Sequence, residues 1–206
     1  MNTQGWKEYL KHDQGDLVPP NLVYAPLVSP DGTVYCMDYG NDRIKIDNTF
    51  YFDREIDYIT RFSGYAWMPE NINIDRANKK IFFKWYGHTC NDLVHQGTAV
   101  DNSQLKQCVL DILSAGVYKL NVYPHCFYFD NVGKIHAMDF YACIDRSEPY
   151  LPVEQVRNVM GQDNLDRWHQ AIEGDRVNFE KFFHQGILKH IHWPGDPLKD
   201  IINAID

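Results

Sequence analysis

Tyr118-Lys119-Leu120-Asn121-Val122-Tyr123-Pro124-His125-Cys126-Phe127-Tyr128-Phe129-Asp130-Asn131-Val132-Gly133-Lys134-Ile135-His136-Ala137-Met138-Asp139-Phe140-Tyr141-Ala142 is the stretch that decides the fold. Two short aromatic or β-branched runs, Phe127 to Phe129 and Ile135 to Phe140, flank Asp130-Asn131-Val132-Gly133. Such runs on either side of an Asp/Asn/Gly turn predict a β-hairpin. The hairpin is entered through a loop, Asn121 to Cys126, and left through Asp139-Phe140. Just upstream, Ser103 reads as a helix N-cap. Leu105, Cys108, Val109, Ile112 and Gly116 then recur at helical spacing, which predicts a helix from Gln104 to Ala115. On that face Cys108 is packing rather than chemistry.

Toward the N-terminus the pattern changes from helical to alternating. Leu22 to Val28 and Thr33 to Tyr39 read as strands around the turn Ser29-Pro30-Asp31-Gly32, and Arg43 to Ile46 as a third strand. Phe52, Ile56, Ile59 and Phe62 recur at helical spacing, so a helix is expected from Thr49 to Phe62. Asn71 to Asp75 and Ile81 to Tyr86 flank the polar turn Arg76 to Lys80 and read as a half-buried strand beside a buried one. A short helix is expected to open at Asn91. Residues 1–20 are polar and end in Pro19-Pro20; they read as an arm whose Trp6, Tyr9 and Leu10 make one amphipathic turn against the body. Beyond the hairpin, helices are expected at 152–160, 163–172, 178–190 and 197–205, with Phe179, Phe182, Phe183, Ile187 and Leu188 as core or a partner-facing stripe.

Composition narrows the function classes. The chain of 206 residues is 44% hydrophobic, enough for a packed core. Twenty basic against 28 acidic residues give a net charge of −8, and no Lys/Arg block stands out, so neither nucleic acid nor an anionic membrane is expected as a partner. No apolar run approaches the roughly 20 residues that span a bilayer, and the polar start is not that of a signal peptide, so a cytoplasmic location is expected. The five cysteines form no C-x-x-C pair and read as reduced thiols. His190 and His192 are closely spaced but point apart on a helix, and zinc is not expected.

Taken together, these pieces resemble the protein-kinase-like fold. In that family the catalytic loop reads H-R-D-x-x-x-x-N and the following hairpin ends in D-F-G. Laid on this chain without gaps, the loop's Asp falls on Asn121 and its Asn on Cys126. The Asp of the second motif falls on Asp139, with Tyr141 where the family has glycine; Pro124 sits where many members have a loop proline. Lys45 matches the V-A-I-K lysine by position on the third strand, and Glu55 in Arg54-Glu55-Ile56 matches the glutamate that pairs with it. Their separation is short for protein kinases and compatible with compact aminoglycoside-phosphotransferase-like relatives. Tyr86-Gly87-His88-Thr89 resembles the hinge, where backbone from Lys84 to Tyr86 would face adenine. The G-x-G-x-x-G loop is absent, and Pro30-Asp31-Gly32 takes its place. No A-P-E motif follows the short segment Cys143 to Pro152.

The resemblance implies an α+β, two-lobed architecture with an antiparallel-sheet small lobe and a reduced helical large lobe. The boundaries would be an arm at 1–20, a small lobe at 21–87 and a large lobe at 88–206. Trp67-x-Pro69-Glu70 and Phe83-x-Trp85-Tyr86-Gly87 also look like small kinase-like proteins of tailed phages of cyanobacteria, which implies work in an infected bacterial cytoplasm.

The resemblance leaves two functional readings open. An amide at Asn121 cannot accept the proton of an attacking hydroxyl, and losing a positioned base typically removes ~10²–10⁴ in rate. The soft thiol of Cys126 is a poor ligand for magnesium, so only Asp139 is left to hold metal. The first reading is therefore a pseudokinase that acts by binding or regulating a protein partner. The alternative is an atypical phosphotransferase or nucleotidyltransferase in which Lys45, Glu55 and Asp139 still position ATP and Mg, with His125 or Asp130 replacing the base. Cys–His chemistry at His125-Cys126 is not expected, because neighbours in a strand point to opposite faces.

Overall fold

A computed structural model describes residues 1–9, 23–42, 44, 48–98, 101–119 and 126–145. Lys45, Asn121, His125, the third strand expected through Arg43 to Ile46 apart from Ile44, the helices expected after residue 151 and the His190/His192 pair lie outside the described residues. The class expected from the sequence is the class observed, α+β with an antiparallel sheet at its centre. The chain divides into two compact units: Met1–Val100 with Pro124–Tyr141, and Asp101–Tyr123 with Ala142–Asp206.

The first unit is built on five strands: β1 (Lys7–Glu8), β2 (Ala25–Val28), β3 (Val34–Asp38), β4 (Asn73–Asp75) and β5 (Lys80–Lys84), in the order β1-β2-β3-β5-β4, all antiparallel. Side chains alternate between faces along a strand. On one face Leu27, Cys36 and Phe82 form a buried cluster, with Trp6 and Val34 packed against it. On the other lie Tyr35, Met37, Ile81 and Phe83, all at most 1% exposed. Burial on both faces explains why β3 and β5 read as near-continuous apolar runs.

Between β3 and β4 runs helix α1 (Thr49–Phe62), with the bounds its periodicity predicts. Tyr51, Phe52, Glu55, Ile56, Tyr58, Ile59 and Phe62 are its buried residues. Its start is not capped by a side chain in the usual way. Instead Asn48 turns its amide inward, donating to Val23 O at 3.2 Å and to Tyr39 O, which ties the helix to the ends of β2 and β3. After the short helix α2 (Cys90–His95), the unit closes with the expected hairpin, observed as β7 (Phe127–Phe129) and β8 (Ile135–Ala137). In its turn Asp130 Oδ1 accepts the amides of Val132 and Lys134 at 3.0 and 2.8 Å, and Gly133 takes φ +81°. The second run ends at Ala137 rather than Phe140, because Asp139 adopts φ +65° and the backbone leaves the ladder.

The second unit carries α3 (Asn102–Ser114) and the two-stranded pair β6 (Val117–Lys119) and β9 (Cys143–Asp145). Leu105, Cys108, Val109 and Ile112 form the buried face expected of α3. Two details differ from the sequence reading. The N-cap is Asp101, not Ser103: the carboxylate accepts the Ser103 amide at 2.9 Å and its hydroxyl at 2.6 Å, and a negative cap also suits the positive end of the helix. Gly116 is not on the face but past the end, at φ +74°, where it supplies the left-handed stop that other residues resist.

A larger correction concerns the arm. Trp6 to Tyr9 do not form an amphipathic turn. Lys7 and Glu8 pair with Val28 and Leu27, so the chain's start is an edge strand. A two-residue strand is too short to leave a period-two signature.

Gly40, two residues past the end of β3, is closely packed. Its amide donates to Asp38 Oδ1 at 3.1 Å, and a Cβ there would meet the carbonyl oxygen of Asn78 at 2.4 Å. Because that neighbour is backbone, Gly40→Ala should cost roughly 1–3 kcal/mol of stability by forced displacement. Urea unfolding of the two proteins checks this, and equal midpoints would contradict the packing described.

Candidate site around Asp139

The residues nominated from sequence fall into two groups, and the first surrounds Asp139. β7 and β8 bring Cys126 opposite Met138, whose amide donates to the Cys126 carbonyl at 3.2 Å. Asp139 follows at φ +65°, a conformation uncommon outside glycine, and Phe140–Ala142 forms one 3-10 turn. Asp139 is 1% exposed, and its Oδ1 accepts the Tyr24 hydroxyl at 2.5 Å. Tyr24 stands just before β2. Burial, reinforced by the Asp139 charge, holds its phenol well above the ordinary range, so it is a donor at any ordinary pH.

Glu55, in the middle of α1, is fully buried, and its Oε2 accepts the Tyr141 amide at 2.6 Å. This contact fixes the backbone two residues beyond Asp139 from the helix side. The ring of Phe140 fills the space below, 5.3 Å from Phe62 and 6.0 Å from Trp67. Tyr141 lies edge-on to Tyr24 and Tyr51. Tyr39 packs at 5.3 Å from Tyr24, with a buried hydroxyl that finds no hydrogen-bond partner. Burial first, then the charges of Glu55 and Asp139, pushes its phenol far up. Cys126 contributes a thiol that is 1% exposed; it is one of five buried free cysteines.

Lys84 and Tyr86 form the second group, and their partners are different. The Lys84 ammonium pairs with Glu70 at 2.9 Å on the surface, and its amide donates to Glu70 O at 3.0 Å. The Trp85 amide is taken by Thr33 O at 2.8 Å. Tyr86 Oη accepts the Glu70 amide at 2.9 Å, and burial pushes that phenol up to about 12. The Tyr86 ring stacks on His136 at 4.2 Å and 9°.

The sequence reading missed Tyr24, Tyr39 and His136. Tyr24 and Tyr39 sit at strand ends among other tyrosines, with nothing local to mark them. His136 is legible only as an inward position of β8. It is fully buried, with Nδ1 3.2 Å from Met68 O and Nε2 3.4 Å from Asp130 Oδ2, and it braces the hairpin against residues 67–70.

Among the described residues no group of three His, Cys, Asp or Glu could hold a metal ion. Of the residues nominated for a magnesium nucleotide, Cys126 offers sulfur where a hard cation prefers oxygen, and Asp139 Oδ1 accepts the Tyr24 hydroxyl.

No protein-family model and no curated protein matches the chain. Solved structures of WbdD do. One titled "bifunctional kinase-methyltransferase WbdD" is 12% identical with a TM-score of 0.49, covering 98% of this chain and 50% of that one. A structure of monomeric WbdD is 11% identical with a TM-score of 0.49, covering 84% and 46%. A co-crystal of WbdD with the kinase inhibitor LY294002 is 14% identical with a TM-score of 0.42, covering 80% and 43%. This chain thus spans about half the length of the solved proteins it matches. At such identities and scores, the fold is read from this chain's own strands and helices.

Two predictions follow from the contacts. Tyr24→Phe removes a hydrogen bond to a buried charged group and should cost roughly 1.5–3 kcal/mol, measured by denaturant unfolding; a neutral effect would mean the contact is not made. For His136, burial lowers the pKa and the Lys134 charge adds to it, against the raising effects of Met68 O and Asp130. The unfolded chain then takes up the proton first, so stability present above about pH 6.5 should fall as pH drops below that value. His136→Gln should flatten that part of a pH–stability curve, and an unchanged slope would contradict it.

Proposed function

We propose that the chain is a kinase-like protein without competent phosphotransfer, a pseudokinase that acts by binding a protein partner as a regulatory module. The observation that carries this reading is the state of Asp139: buried, in a left-handed backbone, with its carboxylate accepting the Tyr24 hydroxyl at 2.5 Å. At the position where the family resemblance calls for a metal-holding oxygen, the chain supplies its own donor instead.

The turn in place of the glycine loop supports the same reading. A phosphate cradle needs amides free to donate. Here Gly32 N donates to Ser29 O at 2.9 Å, Thr33 N to Ser29 Oγ and Asp31 Oδ1 at 3.1 Å each, and Val34 N to Ser29 Oγ at 2.9 Å. Asp31 would also set a negative charge against a phosphate. Its carboxyl is held below the usual range by the Ser29 hydroxyl and by Thr33, so it is ionised near neutrality. The strand end that would meet adenine is similar: the Lys84 and Trp85 amides already have carbonyl partners. Asn121 and Cys126 at the base and second metal positions complete the argument from sequence. The resemblance to small kinase-like proteins of cyanobacterial tailed phages supports an infected bacterial cytoplasm as the place of action.

Calorimetric titration with Mg-ATP, run beside a phosphotransfer assay, tests the reading. The expected result is neither saturable heat nor turnover. Robust turnover that Asp139→Ala abolishes would overturn it.

A further inference from the structure

We infer that the outer edge of β2 is a strand-addition site for an extended peptide with two bulky aromatic side chains three residues apart, filled in cis by the protein's own residues 6–9. The inference rests on the binding-module reading above and names the class of partner that module takes.

The seated segment shows what the site recognises. Lys7 and Glu8 pair with Val28 and Leu27, and the Tyr9 amide donates to Pro26 O at 2.9 Å. In an extended chain, side chains three apart point to opposite faces, and Trp6 and Tyr9 do so. Trp6 packs on the cluster of Leu27, Cys36 and Phe82, its ring 5.8 Å from Phe82 at 72°. Tyr9 lies against the opposite face, 4.7 Å from Trp85 and 6.1 Å from Tyr35. Its hydroxyl donates to Asp92 Oδ2, a 5% exposed carboxylate that also accepts the amide and hydroxyl of Thr89. The first seat is therefore purely apolar. The second ends in a buried acceptor and selects tyrosine over phenylalanine.

The cis occupant is held by side chains and its terminus more than by its ladder: besides the two ring seats, Thr3 Oγ1 accepts the Lys80 ammonium at 2.6 Å and the Met1 ammonium lies 3.7 Å from Asp75. β1 is two residues long, the shortest strand among those described, and it lies at the end of the sheet. Its departure would leave an edge of unpaired backbone groups beside two aromatic seats. That is the arrangement by which peptides add to sheets, with main-chain bonds supplying affinity and side-chain seats specificity.

The probe is a fluorescently labelled peptide of residues Asn2–Tyr9, read by anisotropy against the full chain and its Trp6→Ala/Tyr9→Ala variant. Because the cis segment competes, the opened variant should bind the peptide at least about tenfold more tightly than the unsubstituted chain. Alanine at the peptide's tryptophan, or phenylalanine at its tyrosine, should weaken that binding. No saturable binding to a variant that keeps its circular dichroism would overturn the inference. Hydrogen exchange on the unsubstituted chain decides independently of whether the variant folds: the Tyr9 amide should exchange at least about tenfold faster than those of Cys36 and Phe82, whereas equal protection would make the segment fixed core and also overturn it. Phosphotransfer by a chain that binds the peptide would sink the pseudokinase reading and leave this site in place.

Discussion

A carboxylate taken out of water must be given donors, and of the four that the sheet-bearing unit buries, Asp38, Glu55, Asp92 and Asp139, two secure the exit of the hairpin, Glu55 and Asp139. Their described donors are the Tyr141 amide and the Tyr24 hydroxyl. Those two contacts tie α1, the start of β2 and the exit of the hairpin into one arrangement. Asn48 adds a further tie through Val23 and Tyr39. Removing either donor would leave a buried charge short of compensation, which costs far more than an ordinary surface hydrogen bond.

The same contacts bear on chemistry. A carboxylate that serves a metal must be reachable and geometrically free. Asp139 is neither exposed nor free of a donor: the Tyr24 ring that serves it packs on Tyr39 and Tyr141, and the neighbouring Phe140 packs on Phe62 and Trp67. The Ser29 to Val34 turn is self-satisfied in the same sense, its amides spent on its own side chains. Both stretches are satisfied from within the chain.

How much of this could be read from sequence depends on the range of each contact. The hairpin and α1 were legible because turn chemistry and a strong apolar period are local signals, and α1 has the bounds its period predicts. The helix α3 was legible in its buried face but not in its ends, since Asp101 and Ser103 are both good caps and only geometry chooses between them. Tyr24 was not legible as the partner of Asp139, because the two are 115 residues apart and no local pattern announces the pairing. The edge strand at Lys7–Glu8 was hidden for the opposite reason: two residues are too few to show alternation. Glu55 was nominated by resemblance, and its described partner turned out to be a backbone amide beside the Asp-Phe motif.

The central claim is that Asp139 is committed to Tyr24 and does not receive a divalent cation. Manganese is a paramagnetic stand-in for magnesium that broadens amide signals near its binding site. With manganese and ATP at millimolar concentration, the amides of Met138, Asp139, Phe140 and Tyr141 should keep the line widths they show without metal. Selective broadening of those four signals would contradict the account.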